Sequence, residues 1–234
     1  MIELHEVTKR YGSLTAVDQI TLSVEKGEYF ALLGPNGAGK TTIVKMLLDF
    51  TRPTAGTLSV NGISSKDPAC RTAVGYLAEN PRIPPNLSGW QYLQRGAELL
   101  GMQGSEAMGQ SRNIVGLIGM AGKEHTKVST YSRGMIQRFG LGAALIGNPK
   151  LLILDEPTSG LDPIGIREIR QLLESLKQQG MTILLNSHLL SEVEKICDTA
   201  AIINNGKLLL KDSISSIIKD GETLEDVFVR LVKG

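Results

Sequence analysis

Two stretches of this 234-residue chain carry residue types at spacings suited to handling a polyphosphate. The first, Gly34-Pro35-Asn36-Gly37-Ala38-Gly39-Lys40-Thr41-Thr42, fits G-x-x-x-x-G-K-[ST] and follows an apolar run, Tyr29 to Leu33. Glycines let successive backbone N–H groups turn inward on an anion, and a helix starting there faces the same charge with its positive end. Lys40 would reach the β- and γ-phosphates, the Thr41 hydroxyl would ligate magnesium, and Thr42 would make a lesser phosphate contact. Asn36 and Ala38 would contribute backbone only. The second stretch is Leu151 to Leu154 followed by Asp155-Glu156, which puts carboxylates at the end of a buried strand, where one can hold Mg²⁺ directly or through water. Asp155 is the metal-side candidate. Glu156 is aimed differently and could polarise an attacking water, as a general base or as a positioning group. A glycine-rich turn or a solvated strand end would explain either stretch alone; the pair points to a nucleoside triphosphate with magnesium.

The elements that must hold these residues follow from apolar periodicity. Tyr29 to Leu33 reads as a buried strand and Ile43 to Phe50 as the helix after the phosphate loop. Ile2 to Thr8 and Ile20 to Val24 alternate as half-buried strands, with Tyr11 in their connection, where an exposed aromatic could stack on a base or simply pack its own turn. Gly56 to Gly62 reads as a strand ending in an Asn-Gly turn, and Ala73 to Leu77 as a further buried strand. Ser88 with Gln91 has the form of a capping box opening a helix towards Leu100, and a second helix is expected over Ala107 to Ile118. Gly134 to Ile146 suggests a small-residue-rich helix, Asp162-Pro163 caps one that runs through Leu176, and Thr223 to Val232 gives a closing amphipathic helix. Thr182 to Leu185 and Thr199 to Ile203 are two more strands. The continuous apolar run Leu151 to Leu154 is of the kind buried on both faces in a parallel sheet.

The bulk numbers exclude several function classes. Lys plus Arg is 25 against 24 for Asp plus Glu, so no global basic field favours nucleic acid or anionic lipid. Cys70 and Cys197 lack His or Cys neighbours at metal-ligand spacing, which suggests buried free thiols in a reducing compartment. The N-terminus has neither the basic start nor the apolar core of a signal peptide, and no run of about 18 apolar residues exists to span a bilayer. The expectation is a protein soluble by itself, with His5 and His125 at its surface.

Further motifs carry a family resemblance. Tyr131-Ser132-Arg133-Gly134-Met135-Ile136-Gln137-Arg138, Leu151 to Thr158, Ser159-Gly160-Leu161-Asp162 and Asn186-Ser187-His188 resemble, in order and separation, the signature, Walker B, D-loop and switch-histidine motifs of ABC ATPases. The resemblance covers essentially the whole chain. It implies an α/β fold: a P-loop NTPase core with a mainly parallel sheet, an antiparallel β subdomain and a helical insertion. Residues 1–234 would then be one ABC ATPase domain, with a helical subdomain over about 84–147 inserted in a RecA-like core. Such domains bind ATP between two copies facing head to tail. The resemblance implies that Lys40 of one copy holds an ATP covered by Ser132 and Gly134 of the other, with His188 at the γ-phosphate and attacking water and Asp162 bridging the subunits. A signature at a helix start makes a second anion site, which gives this arrangement a physical rationale. Tyr11 falls where the family places its adenine-stacking aromatic.

Two positions depart from the family pattern. Glu79 stands where the family has a glutamine that contacts metal and water and couples to the membrane partner; a carboxylate can still ligate magnesium but adds negative charge near the γ-phosphate. Arg133 and Met135 stand where Gly and Gln are common, and Arg133 either adds a cation facing the other subunit's nucleotide or is simply solvated. These features, with the ending Leu224 to Leu231, resemble the stand-alone ATPases of drug and polysaccharide exporters. The implied partners are a second ATPase subunit and a separate membrane permease, on the cytoplasmic face of the membrane. The permease would dock where Pro81, Ile83, Pro84, Pro85, Leu87 and Trp90 form an apolar stretch, unless that stretch is buried in the domain. The alternatives are an importer ATPase, or a soluble ABC ATPase acting on nucleic acid or ribosomes, whose relatives show coiled coils, tandem cassettes or basic arms. A small-molecule kinase would leave the signature and His188 unexplained.

Overall fold

The computed structural model describes residues 1–219 and 221–233. In chain order the elements begin β1 (Ile2–Tyr11), β2 (Leu14–Val24), β3 (Tyr29–Leu33), α1 (Lys40–Leu47), β4 (Ala55–Val60) and β5 (Ile63–Ser64). There follow β6 (Val74–Leu77), α2 (Gly89–Leu99), α3 (Gly104–Leu117), α4 (Arg133–Leu145), β7 (Leu151–Asp155) and α5 (Pro163–Gln178). The chain closes with β8 (Thr182–Asn186), α6 (Leu190–Ile196), β9 (Thr199–Asn204), β10 (Lys207–Ser213), α7 (Ile214–Ile217) and α8 (Leu224–Lys233). These cluster into two compact units: Met1–Thr72 with the chain from Gly180 onward, and Ala73–Gln179.

In the first unit the alternating strands make an antiparallel sheet of order β2-β1-β4-β5. Asn61 and Gly62 both take positive φ in the β4–β5 connection, the backbone that an Asn-Gly hairpin turn requires. The largely apolar β3, β8 and β9 pair in parallel, with Leu32 opposite Asn186 and Leu33 opposite Ile202, and every residue of β3 and β8 is buried. Because these strands run the same way, the segments leaving β3 and β8 emerge at one edge. β10, which sequence periodicity passed over, adds antiparallel to β9 through an Asn205-Gly206 turn with both residues at positive φ. Leu224 and Val227 of α8 are buried, while Phe228 and Leu231 are only partly so.

In the second unit β6 and β7 pair in parallel, with Leu77 opposite Leu154, so the chain beyond each strand leaves at one edge. The capping box of α2 is complete: Ser88 Oγ accepts from the Gln91 amide and Gln91 Oε1 accepts from the Ser88 amide. Glycines set the packing of α4: a Cβ on Gly75 would lie 2.0 Å from the Ala144 carbonyl oxygen, and one on Gly89 would lie 2.2 Å from the Phe139 ring. Ile83 and Leu87 are buried inside this unit, Trp90 is half-buried, and Pro84 and Pro85 are exposed. Ile83 and Leu87 of the apolar stretch after β6 therefore serve the core, while Pro84 and Pro85 stay at the surface.

Candidate functional site

The phosphate loop is held open by contacts that only glycine permits. Gly34 (φ 157) is extended, yet a Cβ there would lie 2.2 Å from the Ile203 carbonyl oxygen; Gly39 has φ 110, and its Cβ would lie 2.4 Å from the Ala16 carbonyl oxygen. The first fixes the loop against β9 and the second against β2. Gly206 completes the brace, donating its amide to the Ala38 carbonyl (3.0 Å) and accepting from the Asp18 amide (2.8 Å). Lys40 Nζ lies across the loop mouth, donating to the carbonyls of Gly34 (2.6 Å) and Pro35 (3.1 Å). Helix α1 starts at Lys40, earlier than the expected Ile43, because Gly39 supplies a left-handed N-cap; it ends at Leu47, leaving Phe50 beyond it and exposed. No side chain caps α1, whereas Ser88, Ser132 and Asp162 cap α2, α4 and α5. An uncapped helix start beside a lysine is a donor array for an anion. Thr41 is exposed, Thr42 half-buried and Ala38 1% exposed, while Asn36 and Gly37 are exposed.

Tyr11 ends β1 opposite Leu14, in the hairpin whose returning strand carries Ala16 to Gly39. The residue is 45% exposed. Lys9 Nζ sits 4.8 Å from the ring centroid and donates to the Arg52 carbonyl at 2.7 Å, so one side of the ring faces a cation from its own strand. His188 is exposed just beyond β8, in a turn where Ser187 Oγ accepts from the Leu189 amide (3.1 Å), and it leaves the same sheet edge as Gly34.

In the second unit Asp155 closes β7 at 8% exposure. Glu156 follows with φ 51, a left-handed backbone that glycine, asparagine and aspartate tolerate but glutamate adopts at a cost of about 1 kcal/mol or more. The chain therefore turns sharply off the strand at Glu156, and its carbonyl accepts from the Ser159 amide (3.1 Å). Glu79 is exposed beyond β6. Burial first, then the negative charges of Asp155 and Glu79, push the Tyr76 phenol above its ordinary pKa. Ser132 is exposed and its Oγ accepts from the Met135 amide (3.3 Å); this consumes an acceptor position and leaves the hydroxyl proton to donate outward. Gly134 lies on the first turn of α4, half-buried. Asp162 caps α5, accepting from the Gly165 amide at 2.7 Å.

The sequence matches the ABC transporter family over residues 17–159, from β2 to the turn beyond Glu156. The chain belongs to the ABC transporter family. Within it the chain is an ATP-binding, ATP-hydrolysing subunit with the α/β architecture described above. It is 44% identical, over 94% of its length and 71% of the relative's, to the bacitracin transport ATP-binding protein BcrA of Enterococcus faecalis. Against the lantibiotic transport ATP-binding protein SrtF of Streptococcus pyogenes it is 37% identical over 97% of its own length and 96% of SrtF's. It spans 61% of the length of another relative. A solved structure of an ATP-binding subunit of an ABC transporter superposes with a TM-score of 0.89 at 28% identity, covering 99% of both chains.

Sequence reasoning passed over three features of this ABC subunit's site: the Gly206 brace, the Lys9 cation behind Tyr11, and the strained backbone at Glu156. The Asn205-Gly206 dipeptide was the available signal for the first. For the second the signal was the i, i+2 spacing that puts Lys9 and Tyr11 on one face of a strand; a positive φ at a glutamate has no sequence signal. Both cysteines are buried free thiols, and His5 and His125 are exposed, as expected. Among the described residues no helix is long and apolar enough to cross a membrane.

Proposed function

We propose that this subunit binds ATP and magnesium, closes head to tail with a second copy, and drives a separate membrane permease that exports its cargo from the cytoplasmic side. The observation that carries this reading is the braced phosphate loop: Lys40 across its mouth, an uncapped α1 behind it, and glycines at the two places where a side chain would collide with the backbone. In this reading Lys40 and the amides of Gly37 and Gly39 hold the phosphates, Gly34 lets the chain enter the loop, and Thr42 makes the lesser contact. Tyr11 stacks on adenine. Magnesium, when bound, neutralises phosphate charge during phosphoryl transfer. The residue types suit that ion: Asp155 and Glu79 are hard carboxylate donors and Thr41 a hydroxyl, and magnesium takes one or two carboxylates and fills its remaining positions with phosphate and water.

Glu156 orients the attacking water and accepts its proton, and His188 contacts the γ-phosphate and that water. The left-handed backbone at Glu156 supports the assignment, since strain of this kind persists where side-chain direction matters. Ser132, with its outward hydroxyl proton, and the amide at Gly134 face the nucleotide of the other copy, and Asp162 meets that copy across the interface. Glu79 keeps a coupling role at the permease side. BcrA and SrtF, named for bacitracin and lantibiotic transport, support an exporter of peptide antibiotics.

The test is retention by tagged Glu156→Gln protein, with ATP, of polypeptides from detergent-solubilised membranes of its source. A polytopic membrane protein should be retained, and lost again with Lys40→Ala. Retention of ribosomal or DNA-associated proteins alone would replace the transport reading.

A further inference from the structure

The side chain of Arg133, at the residue after the signature serine, is exposed yet folds back on its own unit. Its guanidinium lies over the turn that precedes α5: a Cβ built on Gly160 would sit 2.5 Å from Arg133 Cζ, 2.6 Å from Nη1 and 2.7 Å from Nε, so three guanidinium atoms cover that one α-carbon. Gly160 itself has φ 69. From there Nη2 donates to Ser159 Oγ (3.4 Å) and to Asn80 Oδ1 (3.5 Å). Each bond is long and individually weak, and the side chain is exposed. What matters is that one planar group touches three segments of one unit: the chain after β6, next to Glu79; the start of α4, next to Ser132; and the turn between Glu156 and Asp162.

We propose that Arg133 is a positioning residue that ties these three segments together, so that Ser132 and Asp162 are presented to the second copy as one preorganised surface. Reach alone would not select arginine. The planar fork does, because it can lie flat on a glycine and still address two acceptors on different segments, which a lysine ammonium on a flexible stem cannot. Within the turn the Ser159 amide donates to the Glu156 carbonyl and the Leu161 amide to the Thr158 carbonyl, and Leu161 Cδ2 lies beside Gly134 of α4; the guanidinium adds the link to Asn80 on the chain after β6. Gly160 is exposed between half-buried Ser159 and Leu161, and a stretch with few buried contacts opens more readily when a side-chain tie is removed. The arrangement also accounts for the arginine as more than a solvated cation.

The functional half of this inference rests on the head-to-tail ATP reading, so the experiment has two arms. The first needs no nucleotide: amide hydrogen exchange of residues 158–162 in the whole chain, compared among wild type, Arg133→Ala and Arg133→Lys. Exchange at Ser159 and Leu161 should quicken about tenfold in Arg133→Ala, with little recovery in Arg133→Lys, while exchange in β3 and β8 stays unchanged. Unchanged exchange at 158–162, or full recovery with lysine, overturns the proposal. In the second arm the same substitutions are placed on Glu156→Gln, and ATP-dependent dimerisation is followed by sedimentation. The ATP affinity of the monomer should stay within about twofold, while the concentration needed for half-dimerisation rises about tenfold for both variants. A loosened turn with unaltered dimerisation overturns the presentation role. A Glu156→Gln parent that binds ATP and stays monomeric counts against the head-to-tail reading, and the first arm still decides whether Arg133 ties the segments.

Discussion

At the scale of single residues, the two groups nearest the chemistry have opposite structural standing. Lys40 is part of the loop's own architecture as well as its proposed phosphate ligand, because its ammonium bridges the carbonyls of Gly34 and Pro35. Lys40→Ala removes a cation and a brace together, so ATP affinity should fall by about a hundredfold or more, the size expected when a charged hydrogen-bonding group is lost from a phosphate site. Titration with a fluorescent ATP analogue reads this directly; affinity within threefold of wild type would remove Lys40 from the site. Glu156, by contrast, is held at some cost in backbone strain. Glu156→Gln should keep ATP affinity and lower the hydrolysis rate by at least about a hundredfold, as expected for a lost general base. Glu156→Gly should be equally inactive yet within about 1 kcal/mol of wild type in urea unfolding, since glycine relieves the positive φ while loosening the unfolded chain. Pattern and chemistry made Lys40, Thr41, Asp155 and Glu156 legible in the sequence as candidates. Ser132, His188 and Asp162 needed the family resemblance, because a serine or aspartate at a helix start is first of all a cap, and both are used as caps here.

At the scale of elements, the strands and helices with strong periodicity or a complete cap were readable, and those that depend on neighbours were not. The Ser88 and Gln91 box marks the start of α2 to the residue, and Ser88→Ala should cost about 1 kcal/mol, measured by urea unfolding, through loss of the amide bond it accepts from Gln91. No loss of stability would mean that the bridge between Ser88 and Lys127 holds that helix start by itself. β10 escaped notice because its pattern is masked by Lys207, Lys211 and Asp212 on an edge strand, and only its Asn-Gly turn betrays it. α6, with seven residues, is too short to display a period. Gly75 was read as an ordinary strand residue, and sequence offers no sign that the Ala144 carbonyl oxygen approaches its α-carbon. Gly75→Ala should therefore destabilise by about 3 kcal/mol or more, since the colliding atom is backbone and cannot rotate away. A loss below 1 kcal/mol would show that α4 can shift away from β6, and with it the signature serine.

At the scale of the whole molecule, the head-to-tail reading makes a claim that no single-site variant can test: each ATP site takes its phosphate loop from one copy and its signature from the other. Two complementary lesions separate this from a dimer whose sites are each self-contained. Lys40→Ala spoils the loop that a copy provides, and Ser132→Glu spoils the signature, by placing a carboxylate where a phosphate should be met. Each variant alone should hydrolyse little ATP, since every site in its homodimer contains one damaged half. In an equimolar mixture, a mixed dimer pairs the intact loop of the Ser132→Glu copy with the intact signature of the Lys40→Ala copy. One of its two sites is then whole and the other carries both lesions. With random pairing, half the dimers are mixed and each has one good site, so activity should recover to about a quarter of wild type if sites act independently. Recovery that rises with the square of total concentration at dilute protein would tie it to association. If the mixture is no more active than its components while the Ser132→Glu copy still binds ATP, the sites are not shared between copies. Ser132 would then be only the cap of α4 that its bond to the Met135 amide makes it.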